Sequence, residues 1–182
     1  MTSTILNDKV LLAEQHWVAP VKQFKPREKM KLKLLEQFVL PVNYDQTIEE
    51  LRAAAGYKFD NKVIVDGCFP DERIEPKRIT DGPMTFYVLQ PVVSATPYEI
   101  IDRMEIEHCV RPATVKDILT VGQHRQDFHM LLGLGSVALI SKRIQVPVLF
   151  LHAYGPGIGF WDFIETFEPG SPLKYLAIPR AS

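Results

Sequence analysis

The segment Arg111–Ser136, RPATVKDILTVGQHRQDFHMLLGLGS, constrains the fold of this chain more than any other. Thr114 is typical of a helix N-cap, and the apolar residues after it recur at helical spacing until Gly122, the expected helix end. These apolar residues are Val115, Ile118 and Leu119. From Gly133 onward the pattern changes to short apolar strands. The segment therefore predicts a helix that leads into a sheet, which concerns architecture and not chemistry.

Two further helices are predicted from the same kind of start signal. Thr47 and Thr96 are each followed three residues later by a glutamate, which is the spacing of a capping box. Gly56 is placed to end the first helix, and Pro97 fills the first position of the second. A further short helix is expected around residues 126–132.

Strands are predicted where aromatic and β-branched residues cluster between turn signals. The expected ranges are 84–93, 134–140, 144–151, 160–167 and 173–178. Phe38–Tyr44 is expected to be an extended edge segment, because Pro41 cannot donate to a central ladder. Helices followed by antiparallel strands predict an α+β fold, with short capped helices packed on a mostly antiparallel sheet formed largely by the C-terminal half.

Length and composition predict one folded domain. The chain has 182 residues, of which 46% are hydrophobic and 24% charged, values that are ordinary for a globular protein. We expect residues 1–37 to be a basic arm or extension and residues 38–182 to be a single α+β domain. The formal charge of −1 creates no overall field for nucleic acid or an anionic membrane.

The strongest local charge bias lies between Lys22 and Lys33, where six basic residues surround the single acidic Glu28. The basic residues are Lys22, Lys25, Arg27, Lys29, Lys31 and Lys33. One interpretation is an arm that contacts phosphates or an acidic protein surface. The other is a solvated segment near a chain terminus, and the sequence favours this second interpretation.

The densest aromatic region follows a Gly-rich stretch, Gly155–Gly159, that we expect to form a hairpin loop. Pro156 removes a donor and no Lys-Ser/Thr pair follows, which excludes a P-loop. Such a loop beside Trp and Tyr is also typical of recognition surfaces, although most of these rings are expected to be core. The predicted binding residues are Tyr154, Gly155, Gly157, Phe160 and Trp161, together with Lys22, Lys25, Arg27 and Lys29 of the arm.

Two arrangements suggest chemistry, and both are weak. Ser136, His152 and Asp162 supply the groups of a nucleophilic triad, but the serine lacks the glycine of a nucleophile elbow. Zinc would need Cys109, His124 and His129 with the distant Cys68, and the close cysteine pair of structural zinc sites is missing. We therefore predict no metal, no cofactor and no identified catalytic residue.

The chain is expected to lie in the cytoplasm and not in a membrane. Residues 144–161 are uncharged and near the minimum length of a spanning helix. Pro147, Pro156 and the glycines between them and residue 161 would break such a helix, so the segment suits a buried strand and a loop. The first residues show no secretory signal, and two cysteines are too few for a disulfide framework.

The order of several short motifs resembles a known group of proteins. VNYDQTIEELRAA, TPYEIIDRM, RPATVKDILTVG, LGS and LKYLAIPR follow one another between Val42 and Arg180. This resembles a group of small uncharacterised bacterial proteins with an NYD-type helix opening, an RPAT helix, an ALGS-like strand and a terminal FLA-type strand. The resemblance implies no activity.

A looser likeness to the C-type-lectin-like fold comes from Pro112–Thr114 and Leu173–Arg180, where a Pro-Thr helix opening precedes strands and an apolar strand ends in arginine. The chain lacks the disulfides of secreted lectins and their acidic calcium loop. The likeness would imply binding without calcium, and it rests on fold analogy alone.

The leading functional hypothesis is a non-catalytic cytoplasmic protein that recognises a macromolecular partner through the aromatic Gly-rich loop and the basic arm. A protein partner is favoured over nucleic acid, and no membrane is expected. One alternative is a small hydrolase or transferase that uses His152 or His129 with a carboxylate. The other is a nucleic-acid or anion binder that acts through the basic arm.

Overall fold

The computed structural model describes residues 30–69, 81–163 and 166–180, and it confirms the predicted α+β fold. The described helices are α1 (Ile48–Ala55), α2 (Pro97–His108) and α3 (Val115–His124). The strands are β1 (Leu32–Val42), β2 (Phe59–Asp60), β3 (Gly82–Pro91), β4 (Val110–Pro112), β5 (Met130–Leu132), β6 (Ala138–Ile140), β7 (Arg143–His152), β8 (Gly155–Asp162) and β9 (Leu173–Pro179).

All nine strands belong to one sheet, in the order β1-β3-β9-β5-β7-β8-β2, with β4 added to β9 and β6 added to β7. The pairing is antiparallel except where β2 joins β8 and β5 joins β9. β9 is central, since β3 pairs with one of its edges while β4 and β5 share the other. No helix within the described ranges is long and apolar enough to cross a membrane.

All three predicted N-caps are present as capping boxes, at Thr47, Thr96 and Thr114. α3, however, runs past Gly122 to His124, because this glycine serves close packing and does not end the helix. A Cβ added at Gly122 would lie 1.8 Å from the Tyr57 hydroxyl.

Other predicted elements also differ from the structure. Residues 126–129 form no helix, and the chain enters β5 at Met130. The Gly155–Gly159 stretch is not a loop but the first part of β8, which pairs with β7 along its whole length. The predicted strands at 134–140 and 160–167 are correspondingly shorter or displaced, to β6 and β8. β1 begins at Leu32, six residues before the start predicted for the domain at residue 38.

The sheet has a helix layer on each face. Alternate residues of a strand point to opposite faces, and neighbours such as Val88 and Leu89 belong to different core clusters. The first cluster contains the apolar residues of α1 and α3, and the second contains Ile100 and Met104 of α2. We call these faces the α3 face and the α2 face.

A bulge in β1 reverses which face of the sheet its even-numbered residues point to. Between Leu34 and Glu36 the register advances two residues on β1 but one on β3, so Leu35 is the extra residue. Leu32, before the bulge, packs in the α2-face core, whereas Phe38 packs on the α3-face core. Without the extra residue these even-numbered positions would share one face.

Three of the five motifs of the resemblance, which contain Tyr44, Thr114 and Ser136, meet at the N-terminus of α3. The Asp117 carboxylate is fully buried and accepts hydrogen bonds from the amide and hydroxyl of Thr114, at 2.7 and 2.8 Å. It also accepts one from the Tyr44 hydroxyl at 2.5 Å. The Val115 amide donates to Ser136 Oγ at 2.9 Å. Burial, and next the Asp117 charge, raises the pKa of the Tyr44 phenol, which therefore stays protonated and donates.

Two tyrosines with buried hydroxyls allow a matched test of this arrangement. We expect Tyr44→Phe to lower the free energy of unfolding by about 1 to 3 kcal/mol, because a buried carboxylate loses a donor. Tyr57→Phe removes a buried hydroxyl with no hydrogen-bond partner among the described residues, so it should cost nothing or stabilise the fold. Urea denaturation of both variants measures this, and equal losses would contradict it.

Candidate functional site

The most exposed aromatic surface lies where the β7–β8 hairpin turns. Tyr154 is 76% exposed at the turn, and Phe59 of β2 is 38% exposed beside it. The His152 ring lies between them, with its centroid 5.3 Å from each of the other two rings. We call Phe59, His152 and Tyr154 the Tyr154 surface. Its three rings form one contiguous set, and two of them are large exposed apolar groups.

Local backbone chemistry fixes the position of Tyr154. Gly155 has a backbone φ of +134°, which residues other than glycine rarely adopt. A Cβ at this position would also lie 3.0 Å from Lys58 Cβ, so the lysine stem packs directly on the glycine. The Tyr154 amide donates to His152 Nδ1 at 3.4 Å. The turn therefore holds Tyr154 next to both His152 and Lys58.

The glycines of β8 make room for the rings beneath this surface. A Cβ at Gly157 would lie 2.5 Å from Phe150 Cζ and 2.8 Å from Phe59 Cβ. One at Gly159 would meet Phe150 Cε1 at 3.3 Å. The Phe150 ring thus lies across two glycines of the neighbouring strand and supports Phe59 at a centroid distance of 6.3 Å.

An arginine clamp holds β2, and with it Phe59, against the sheet. Arg52 of α1 donates from Nε and Nη2 to the two carboxylate oxygens of Asp60, both at 2.7 Å. Its Nη1 donates to the Ile64 carbonyl at 2.6 Å. These hydrogen bonds, and next the charge of Arg52, lower the pKa of Asp60 against the opposing effect of burial. The two-residue strand is therefore anchored by a nearly buried cation.

Charges at this end of the sheet are unevenly paired. Asp60 is bound by Arg52, and Asp127 is bound by Arg125 at 2.8 Å. Arg125 also binds Glu36 at 2.6 Å and so faces two carboxylates, whereas no ion pair involves Lys58 or Lys62 in the part of the chain that the structure describes.

A cleft beside the Tyr154 surface is small. It is lined by residues that include Tyr57, Arg125, Phe150 and Pro156, and it has room for about one water molecule. This cleft is therefore too small for a ligand larger than water, and the Tyr154 surface beside it is the larger accessible area.

The structure separates the five predicted aromatic and glycine residues. Tyr154, Gly155 and Gly157 belong to the turn and to the glycine strand beneath the Tyr154 surface. Phe160 points to the α3 face and stacks on Phe69 at 6.0 Å. Trp161 is half-buried against the α2-face core. Lys22, Lys25, Arg27 and Lys29 lie outside the described residues.

Sequence reasoning missed Phe59, Phe150 and His152 as members of one site. From the sequence, His152 is considered as a catalytic group, and no strand is predicted that contains Phe59. Parallel pairing of Phe59 with Gly157 brings it there. The available signal was the set of alternating glycines in β8, which leaves space that rings from neighbouring strands must fill.

The triad of Ser136, His152 and Asp162, which was considered from the sequence and not favoured, is not assembled. His152 pairs with Gly155 and Asp162 with Gln145, at opposite ends of the β7–β8 ladder and about 23 Å apart along the strand. Asp162 instead accepts from Gln145 and Arg143, and Ser136 caps α3. Among the described residues, no three Cys, His, Asp or Glu side chains are grouped to hold a metal.

No protein-family model, curated protein or solved structure matches the chain.

Two glycine substitutions test how the rings are packed. We expect Gly157→Ala to lower the free energy of unfolding by about 1 to 3 kcal/mol, because the added methyl group overlaps the Phe150 ring and the Phe59 Cβ atom. Gly159→Ala is the control in the same strand, where one contact at 3.3 Å requires a smaller adjustment. Urea denaturation of the two variants should rank them in this order, and the reverse order would contradict the packing.

The Asp60 clamp should make part of the stability depend on pH. Because Arg52 lowers the pKa of Asp60, the clamp stabilises the fold above the usual carboxyl pKa and is lost as pH falls through the lowered value. We expect Asp60→Asn to be less stable than wild type by about 1 to 3 kcal/mol at neutral pH, with the difference shrinking below about pH 4. Urea titrations across this range measure it.

Asp102→Asn, which changes an exposed carboxylate of α2, is the control and should show no such trend. A difference between Asp60→Asn and wild type that stays constant with pH would contradict the clamp.

Proposed function

We propose that this chain is a non-catalytic binding protein that recognises a macromolecular partner through the Tyr154 surface. The observation that carries the proposal is the exposure of two large rings on a backbone that is held in place. Tyr and other aromatic residues dominate the energetics of recognition surfaces because they provide large contact area at low entropic cost. The Tyr154 side chain is 76% exposed, so most of its apolar area would be buried only in contact with a partner.

The rigidity of the surface supports this function. Gly155 sets the turn, Phe150 supports Phe59, and the Arg52–Asp60 pair anchors β2. A surface that is already ordered loses little conformational entropy when a partner binds. The rings are therefore presented in a conformation suited to association.

The groups considered for catalysis have other roles, which supports a non-catalytic protein. Ser136 Oγ accepts the Val115 amide, and Asp162 is held by Gln145 and Arg143. His152 contacts the rings of Phe59 and Tyr154. We further propose a cytoplasmic location, for which the free thiols of Cys68 and Cys109 are suited.

Paired capture experiments test the proposal. Tagged wild-type protein and the Phe59→Ala/Tyr154→Ala double variant are crosslinked in extract from the cells that make the protein, and bound material is quantified. We expect the double variant to bind the partners of the wild-type protein about thirtyfold more weakly, because central aromatic contacts contribute about 2 kcal/mol or more to binding. Tyr98→Ala, which truncates an exposed tyrosine on α2, is the control and should retain them.

Circular dichroism of each variant separates lost binding from lost folding, and Tyr154→Ala alone provides a milder change if the double variant unfolds. Equal retention of all partners by wild type and by folded Tyr154→Ala would contradict the proposed function.

A further inference from the structure

We propose that the Tyr154 surface binds single-stranded nucleic acid, with bases stacking on Tyr154 and Phe59 and with Lys58 contacting the phosphate backbone. This inference rests on the proposed function, because it names the class of partner for the same surface. The basic arm considered from the sequence takes no part in the argument.

The first support is the arrangement of the rings. Tyr154 and His152 are in tilted contact, with centroids 5.3 Å apart and 32° between their planes. This contact covers little of Tyr154, whose side chain is mostly exposed. The exposed ring therefore has room for a base to stack on it. Proteins that bind single strands commonly use aromatic side chains in this way, because every base has a π-face.

The second support is the local charge. Lys58 packs its stem on Gly155, the residue that follows Tyr154, and it has no ion-pair partner among the described residues. The nearby Asp60 carboxylate is paired with Arg52, so it leaves the Lys58 charge uncompensated. Exposed rings beside an unpaired lysine match a strand of bases and phosphates.

The third support concerns the form of the nucleic acid. The rings lie on a hairpin turn and on a strand at the end of the sheet order, and no helix contributes to them. Base faces in a duplex are covered by their neighbours and are not free to stack on protein. A single strand exposes these faces and bends to the surface. The geometry therefore favours unpaired bases over a duplex.

Fluorescence anisotropy of a labelled oligothymidine of about 12 nucleotides tests the inference with the full chain. Tyr154→Ala and Phe59→Ala should each weaken binding about 5- to 150-fold, the range for loss of one stacked base. The phosphate contact by Lys58 should weaken wild-type binding about two- to threefold between about 50 and 200 mM salt. Lys58→Gln should remove most of that contribution to the salt dependence.

Two control variants and two control ligands make the result specific. Tyr98→Ala and Lys142→Gln change an exposed tyrosine on α2 and a lysine at the opposite end of β7, and both should leave the affinity unchanged. An abasic oligonucleotide of equal length should bind more weakly than oligothymidine, because it offers phosphates without bases. An acidic peptide of equal charge should compete poorly for the same reason.

Several outcomes would overturn the inference. These are no anisotropy change up to about 100 µM protein at low salt, equal affinity for the abasic strand, unchanged affinity in Tyr154→Ala, or equal competition by the acidic peptide. If one of them occurs while Tyr154→Ala loses a captured protein, the inference fails and the proposed function stands. If the variant also retains every captured partner, both fail.

Discussion

The fold depends on one buried carboxylate. Asp117 lies at the N-terminus of α3 with no exposed area, and it is satisfied by the amide and hydroxyl of Thr114 and by the hydroxyl of Tyr44. A buried charge is tolerated when hydrogen bonds replace its water. This one connects α3 to the segment between β1 and α1, while Ser136 connects the same helix end to the chain before β6. Three motifs that are distant in sequence thus stabilise one helix end.

The α3 end and the Tyr154 surface obey the same rule in opposite ways. Gly135 sits where a Cβ would lie 2.7 Å from the Pro112 carbonyl, so its lack of a side chain lets two backbones meet. Gly157 admits a ring instead, because Phe150 crosses it. Gly135 therefore allows close backbone packing in the core, whereas Gly157 allows the ring packing that supports exposed Phe59. Glycine-rich sequence therefore marks close packing in both places.

The parts of the fold that could be predicted are those encoded locally. Each capping box lies within four residues, so the starts of α1, α2 and α3 were identified correctly. Gly122 and the Gly155–Gly159 stretch were misjudged because Tyr57 and Phe150, which contact them, come from other elements. The site followed the same pattern. Tyr154 was identified from the aromatic and glycine-rich composition around it. Phe59 is brought to the site by a two-residue parallel strand for which the local sequence gives no signal.

The central place of β9 has a consequence for biosynthesis. β3, β4 and β5 all pair with Leu173–Pro179, across long stretches of intervening sequence. While the chain is being translated, the β1–β3 ladder and the β7–β8 ladder have no strand to join them until these residues emerge from the ribosome. Late closure of non-local pairs makes folding slow. Until β9 is synthesised, the edges of β3 and β5 that pair with it are unpaired, so nascent chains would be vulnerable to self-association there.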